Sequence, residues 1–257
     1  MNRLFTALTA LGMVCCASAA AAIDHKNLDE GRPLHLQDAY SVSQGERAIE
    51  AGAGFSSKRH AEDQAFFPVT LIYGALPNFH IEAGTTFFTD PHDVDDPAKS
   101  GDLSVAALYN FNQETLTLPA LGIKGSVTLP TGVDSSGVDF EVTGLVTRSF
   151  NRLSMHLNAS YAFISGREEG ERAGRYRFVL GPSYPIGAPL HTRTTVLADI
   201  FIEQSVHHGE QETIGGEAGV RHQLTERVVL DAGVGSEFSG PRDRSRIFVN
   251  AGLSFVF

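Results

Sequence analysis

Ser154, His156 and Asn158 are the side-chain types that hydrolases combine into a nucleophile, a general base and an orienting group. They alternate along one stretch of chain, which on a strand places successive side chains of one face about 7 Å apart. A nucleophile and its base must approach within about 3 Å, so this spacing does not give a triad among the three residues. We interpret them as polar residues that share one face of a strand.

Two stretches that combine histidine with acidic side chains, residues 90–97 and 207–210, could supply the Asp and His groups of a barrel protease. Residues 90–97 could also offer carboxylate oxygens to Ca²⁺, but they lack the Asp-x-Asp-x-Asp-Gly frame of a dedicated calcium loop. Their spacing does not separate either stretch from a solvated acidic loop. We therefore expect no enzyme, no catalytic residues, no metal site and no cofactor.

The overall charge argues against a nucleic-acid partner. The 257 residues carry a formal net charge of −10, and an acidic chain gains nothing from neutralising phosphates. After residue 22 no apolar run reaches 18 residues, so we expect no membrane-spanning helix.

The first 22 residues have the three parts of a secretory signal peptide. Arg3 gives a basic start, residues 4–16 are an apolar run, and residues 17–22 are the small side chains that a signal peptidase needs. Both cysteines lie in this segment, which excludes disulfides and zinc–cysteine sites from the mature chain. A lipoprotein is the alternative, although Val14 stands where a lipobox requires a small residue.

The rest of the chain alternates apolar and mixed residues with period two, which is typical of strands and not of helices. The C-terminal stretch shows it most clearly, with apolar residues at every second position from Ile247 to Phe257. We predict twelve strands, of a length that suits the roughly 9–11 residues of a transmembrane β-strand. They fall near residues 49–56, 66–75, 79–87, 103–111, 120–129, 139–148, 152–163, 174–184, 193–203, 213–222, 227–235 and 246–257.

The connectors alternate between long charged loops and short turns, such as residues 76–78 and 223–226. Outer-membrane barrels show this asymmetry, and a sheet in lipid must close because every backbone polar group needs a partner. The fold class is therefore an all-β, antiparallel transmembrane barrel over residues 46–257. A soluble β-sandwich is the alternative, but it would need polar residues where this chain repeatedly places Phe, Leu, Val and Tyr.

Two terminal features complete the predicted organisation. Residues 23–45 are polar, and we expect a mobile periplasmic segment there rather than a partial plug of the lumen. Phe257 ends the closing strand on its apolar face, which resembles the signature that directs the assembly of outer-membrane barrels. We therefore expect Phe257 to act as an assembly signal.

The strand faces opposite the apolar ones carry charges, which the barrel fold turns toward the lumen. Such charges either pair across strands as an ion-pair network or line a pore that selects solutes by charge, and both can hold together. The candidate lumen-lining residues are Glu50, Glu82, Asp102, Lys124, Glu141, Arg177, Arg193, Asp199, Glu217, Arg221, Asp231 and Arg246.

Several motifs resemble an outer-membrane barrel family described as "putative MetA-pathway of phenol degradation". They are the Gly-Asp strand start at Gly101-Asp102, the Pro-Ala-Leu at residues 119–121 and the Leu-Pro-Thr-Gly at residues 129–132. The segments Arg32–Leu34, Gly216–Arg221 and Leu230–Gly235 are similar too, so the resemblance covers residues 32–257. It implies a transporter-like barrel that has no catalytic residues to carry over.

From these observations we expect an outer-membrane barrel that passes small molecules, with aromatic or hydrophobic compounds among the candidates. One alternative is a structural or adhesion barrel whose lumen is sealed by ion pairs, and another is a barrel lipase or protease. The expected partners are outer-membrane lipid, the barrel-assembly machinery and a small solute that the sequence does not define.

Overall fold

The computed structural model describes residues 23–89, 99–133, 135–188 and 191–257. The predicted signal peptide and the acidic stretch 90–97 lie outside the described residues. Within the described ranges no helix is long and apolar enough to cross a bilayer. The strands there are β1 Arg47–Lys58, β2 Gln64–Leu76, β3 Phe79–Thr89, β4 Lys99–Ser100, β5 Leu103–Asn112, β6 Ala120–Leu129, β7 Asp139–Phe150, β8 Leu153–Phe163, β9 Gly174–Ile186, β10 Thr194–Glu203, β11 Thr213–Thr225, β12 Val228–Ser239 and β13 Ser245–Val256.

The twelve long strands close into one antiparallel barrel. Each pairs with its neighbours along the chain, and β1 pairs with both β2 and β13, so the sheet meets itself. The short β4 was not predicted; it pairs only with the end of β3. Closure leaves no long strand with an unpaired edge, which is the condition for a sheet in lipid. The predicted fold class and strand number are confirmed.

The two faces of the barrel wall differ sharply in exposure. Leu157 on β8 points outward and is 42% exposed, whereas Thr195 on β10 points inward and is 1% exposed. Outward aromatic pairs lie near both rims, among them Tyr109 with Phe111 and Tyr161 with Phe163. An apolar outer band with aromatic residues at its rims suits a protein that meets hydrocarbon in the middle and headgroups above and below.

The two ends of the barrel differ in their connectors. At one end, the turn end, two-residue turns at 77–78 and 151–152 join strands, and Asn78 and Asn151 take a left-handed conformation with φ of 59°. Asparagine adopts this conformation more readily than other residues with a side chain. The opposite end, the loop end, carries connectors such as residues 164–173 and 204–212. In barrels of this kind the short turns face the periplasm.

The segment before β1 corrects one expectation. The sequence favoured a periplasmic tail for residues 23–45, but the structure places residues 23–46, here called the plug, inside the barrel. Ile23, Leu28, Leu34 and Leu36 are each at most 1% exposed. Burial of apolar side chains stabilises the inserted position, at about 1.5–3 kcal/mol for each large one. The segment reads as polar because these residues are widely spaced among polar ones.

The lipid-facing surface gives a direct test. We expect Leu157→Arg on the outer face to destabilise the barrel by about 2–4 kcal/mol, because it lies near the middle of β8 and an arginine there meets hydrocarbon. Ser104→Arg is the control, since Ser104 faces inward and lines a cavity of about 260 Å³ beside Asp102 and Glu82. Denaturant unfolding in lipid vesicles measures both variants. Equal losses would mean that the outer face does not contact lipid.

Candidate functional site

The plug is a hairpin that rises from the turn end and returns to it. Ile23 packs at the turn end against Val42, Ala48 and Ile72. The chain then runs toward the loop end as far as a tight turn, where the backbones of Asp29 and Arg32 pair. After the turn the chain runs back to the turn end. There the Gly45 N–H donates a hydrogen bond to the carbonyl of Gly74, just before β1 begins. The tight turn at residues 29–32 therefore lies near mid-barrel, and we call its Glu30 the tip of the plug.

The plug contacts the wall all around the lumen. A hydrogen bond or an ion pair joins it to each of the twelve long strands. From β1 to β13 the wall partners are Ala51, Gly74, His80, Asn110, Lys124, Thr147, Asn158, Arg177, Thr195, Glu217, Asp231 and Ser254. The turn-end half of the barrel is therefore spanned by this segment.

Glycines on the inner wall make room for the plug. A Cβ added at Gly74 would lie 1.9 Å from the carbonyl oxygen of Ser43, and one at Gly233 would lie 2.5 Å from that of Pro33. At Gly122 the nearest atom would be the carbonyl oxygen of Ala39, at 3.0 Å. These oxygens belong to the backbone of the plug and cannot rotate away. The wall is thus shaped for the inserted segment.

A buried cluster of charges ties the plug to the wall below its tip. Arg32 Nη2 lies 3.1 Å from Asp231 Oδ2 and 3.5 Å from Glu50 Oε1, and it also donates to Ser254 Oγ. On the wall, Arg221 is fully buried and its Nη1 lies 3.5 Å from Asp29 Oδ2. Removing one partner from such a buried pair typically costs 3–5 kcal/mol, because it leaves a charge uncompensated. These contacts resist withdrawal of the plug.

His35 forms a second electrostatic contact inside the barrel. Its Nδ1 lies 3.0 Å from Glu217 Oε2, and its backbone N–H donates to the same oxygen. Burial alone would lower the pKa of His35, but the Glu217 carboxylate outweighs it and raises the pKa above the ordinary value. The ring of His35 also packs against those of Phe201 and Phe248, with centroids 4.8 and 6.4 Å away.

At the tip, Glu30 bridges two cations of the wall. Its Oε1 accepts a hydrogen bond from Arg177 Nη2, and its Oε2 lies 3.8 Å from Lys124 Nζ. Burial acts to raise the pKa of Glu30, but Arg177 and Lys124 hold it below the ordinary value. The Glu30 and Arg177 side chains are 24% and 18% exposed, so this contact is more accessible than the one at Arg221.

Two cavities lie at different levels inside the barrel. The one toward the loop end has a volume of about 260 Å³ and is lined by Glu82, Asp102 and Phe88, among others. The one at the turn end has about 570 Å³ and is lined by residues of both plug and wall, including Tyr40 and His156. The plug thus bounds the larger cavity, whereas wall and loop residues line the smaller one.

Most of the candidate lumen residues form ion pairs. Those in ion pairs are Glu50, Glu82, Lys124, Glu141, Arg177, Glu217, Arg221 and Asp231. Asp102 instead accepts hydrogen bonds from Gly132 N–H and Ser135 Oγ, and Asp199 is buried beside Glu217 and His35.

Two of the predicted arginines lie apart from these contacts. Arg193 is exposed and precedes β10. Arg246 is exposed and lies at a β-bulge. Ser57 pairs with Ile247 and Lys58 pairs with Ser245, so Arg246 between them has no partner residue on β1. The regular alternation of inward and outward side chains stops at both positions. It therefore does not predict the direction of the Arg193 and Arg246 side chains.

The polar row on β8 does not form a triad, as its spacing predicts. His156 contacts Thr147 and Ser183, each at about 3 Å, whereas Asn158 accepts the Gln37 N–H of the plug and donates to the Gln37 carbonyl. In the ranges that the structure covers, no group of three or more His, Cys, Asp or Glu residues is arranged to hold a metal ion.

The sequence analysis missed the plug residues that pair with the wall, namely Glu30, Arg32 and His35. The available signal was the set of leucines at 28, 34 and 36, which a solvated tail has no reason to carry. Their irregular spacing fits neither a strand nor a helix, and so it gave no period to detect.

The fold and the filled lumen define a plugged, outer-membrane-type β-barrel. The family described as "Putative MetA-pathway of phenol degradation" matches residues 31–255, and the chain belongs to this family. The resemblance read from the sequence is thereby confirmed. No curated protein matches the sequence significantly.

Solved structures show the same fold at low sequence identity. The COG4313 outer membrane channel from Pseudomonas putida F1 is 14% identical with a TM-score of 0.68, over 90% of this chain and 100% of that one. The NanC porin is 11% identical with a TM-score of 0.60, over 80% and 98%. The CymD monoaromatic hydrocarbon channel is 8% identical with a TM-score of 0.51, over 83% and 89%. This chain is similar to them in its barrel.

The inner glycines give a test of the docked plug. We expect Gly233→Ala to loosen the plug, because its Cβ would meet the Pro33 carbonyl oxygen. Hydrogen exchange of residues 23–46 should then become several-fold faster while the strands stay protected. Gly125→Ala is the matched control, since a Cβ there meets no atom within 4 Å. Unchanged exchange in Gly233→Ala would contradict the docked position.

Proposed function

We propose that this protein is an outer-membrane channel for small molecules, and that the docked plug is its closed state. The proposal rests on the observation that the plug, and not the side chains of the wall, fills the lumen. An eight-stranded barrel is just wide enough to be filled by its own side chains, and the diameter grows with strand number. Here a separate segment fills half of a twelve-stranded barrel. Among the described residues it continues into the wall at Arg47 alone, so it can leave without breaking a strand ladder.

The comparisons support a transport role in general terms. The family is described by a degradation pathway for phenol, and the structural neighbours include channels and a porin. CymD is described as a monoaromatic hydrocarbon channel. We extend to this chain the passage of small molecules, with aromatic compounds as one class to test.

The outer-membrane location rests on the wall and on the C-terminus. The outward face is apolar with aromatic rims, and Phe257 donates its backbone N–H to the Arg47 carbonyl where the barrel closes. Phe257 is exposed and stacks on Phe255. We infer that it offers a surface for the barrel-assembly machinery, which stays a prediction. The partners in the membrane would be lipid and that machinery.

A second candidate is a structural barrel whose lumen is sealed permanently. The buried cluster around Arg32 and Arg221 favours it, because withdrawing the plug would separate Arg32 from Asp231 and Arg221 from Asp29. An enzymatic role has no comparable support, since the Ser, His and Asn side chains on β8 are engaged in other contacts.

Deleting the plug distinguishes these candidates. We expect a variant lacking residues 24–42 to conduct ions in planar bilayers at several times the mean conductance of the intact chain, because the turn-end half of the lumen is then open. Heat-modifiable gel mobility shows that the variant forms a barrel. The intact chain should open only intermittently. If both proteins form barrels and neither conducts, the channel proposal fails and the sealed barrel is favoured.

A further inference from the structure

The wall around Glu30 has features of an anion-binding site. Four inward side chains lie at one level on adjacent strands: Lys124 on β6 pairs in register with Thr143, Thr143 with Ser160, and Ser160 with Arg177 on β9. We call these four residues the cationic row. Thr143 and Ser160 are buried, and their hydroxyl oxygens lie 2.9 Å apart. Two hydroxyls are thus flanked by two cations. Because Thr143 also donates to Glu141 Oε1 at 3.3 Å, the two cations are the groups that can bind an anion.

The contacts of Glu30 show that the cationic row can bind a carboxylate group. One of its oxygens contacts Arg177 and the other faces Lys124. The backbones of Lys124 and Arg177 are three strand spacings apart, or about 14 Å along the wall, yet both side chains converge on one carboxylate. Arginine and lysine paired with a carboxylate form stronger hydrogen bonds than neutral groups do.

We propose that the cationic row binds the carboxylate of a small organic acid entering from the loop end, and that this acid displaces Glu30 and frees the tip of the plug. This inference rests on the proposed channel function and assigns a solute class to it. In the closed state the Glu30 carboxylate thus occupies the position that the carboxylate of the solute takes when it binds. The exchange conserves charge, because one carboxylate leaves the row as another binds.

The wall keeps the two cations in place when Glu30 leaves. Lys124 Nζ lies 2.9 Å from Glu82 Oε2, and Glu82 contacts His80 at 2.9 Å. Arg177 Nη2 lies 3.5 Å from Glu141 Oε1. Both cations therefore retain a partner, so displacement avoids the cost of an isolated buried charge. These two wall carboxylates also limit the affinity for an incoming anion, which suits a solute that must be released.

Accessibility separates the tip from the deeper contacts. Arg32 of the plug and Asp231 of β12 are only 8% and 1% exposed. A solute from the loop end reaches Glu30 and Arg177 first, because they are partly exposed. Displacement of Glu30 therefore removes the outermost contact first, and the plug leaves the lumen when the deeper contacts of Arg32 and Asp29 also open.

The test compares benzoate with benzamide, its neutral analogue of nearly the same shape. In planar bilayers we expect benzoate to raise the open probability of the intact chain several-fold with saturation, and benzamide to have no such effect. Glu30→Gln should be more open without benzoate and respond less to it. Arg177→Gln should lose the benzoate response. Asp24→Asn removes a plug carboxylate away from the tip and should behave as the intact chain.

Equal responses to benzoate and benzamide, or a Glu30→Gln variant as closed as the intact chain, would overturn the proposal. Calorimetric titration of the folded intact chain with each compound gives a second readout that needs no variant, and it must show heat for benzoate alone. Failure of this inference differs from failure of the channel. If the variant lacking residues 24–42 conducts but benzoate is without effect, only the solute class is wrong.

Discussion

In a bilayer, every backbone N–H and C=O group must find its partner within the protein, and a sheet can meet this requirement only by closing. Twelve long strands achieve closure here when β1 pairs with β13. Closure at this strand number leaves an interior that the wall side chains do not fill. The N-terminal segment occupies that space, so the plug, its glycine clearances and its charge contacts all follow from how the sheet closes.

The interior charges are arranged at two depths that differ in solvent access. The cluster around Arg32 and Arg221 is sealed, and its members compensate one another where water is excluded. The contact of Glu30 with Arg177 is partly exposed and faces the loop end. Because a sealed pair resists separation more than a partly solvated one, the body and the tip of the plug differ in how readily they move. The contact of Glu30 is therefore the one that a solute can release first, before the more firmly held body of the plug leaves the lumen.

The strands could be predicted from the sequence because each has one face in lipid. This requirement places an apolar residue at every second position, a pattern that can be recognised without knowing which residues are in contact. The last strand, Ser245–Val256, is the clearest case. The plug could not be predicted in this way, since Leu28, Leu34 and Leu36 are buried by an irregular path against many strands. The charged residues Lys124 and Arg177 were placed on the inner face by their alternation. Their shared partner Glu30 depends on the plug and was therefore missed.

A disulfide that fixes the plug tests the account most directly. Thr147 Oγ1 lies 3.0 Å from Ala39 N, so the sulfur of a cysteine at position 147 would lie beside residue 39, within reach of a second cysteine placed there. The natural cysteines, Cys15 and Cys16, lie within the predicted signal peptide. The measurement is the open probability of the Ala39→Cys, Thr147→Cys variant before and after reduction. The account predicts a nearly closed channel when oxidised and recovery of intermittent opening when reduced. Equal opening in both states, with the disulfide shown to have formed, would contradict it.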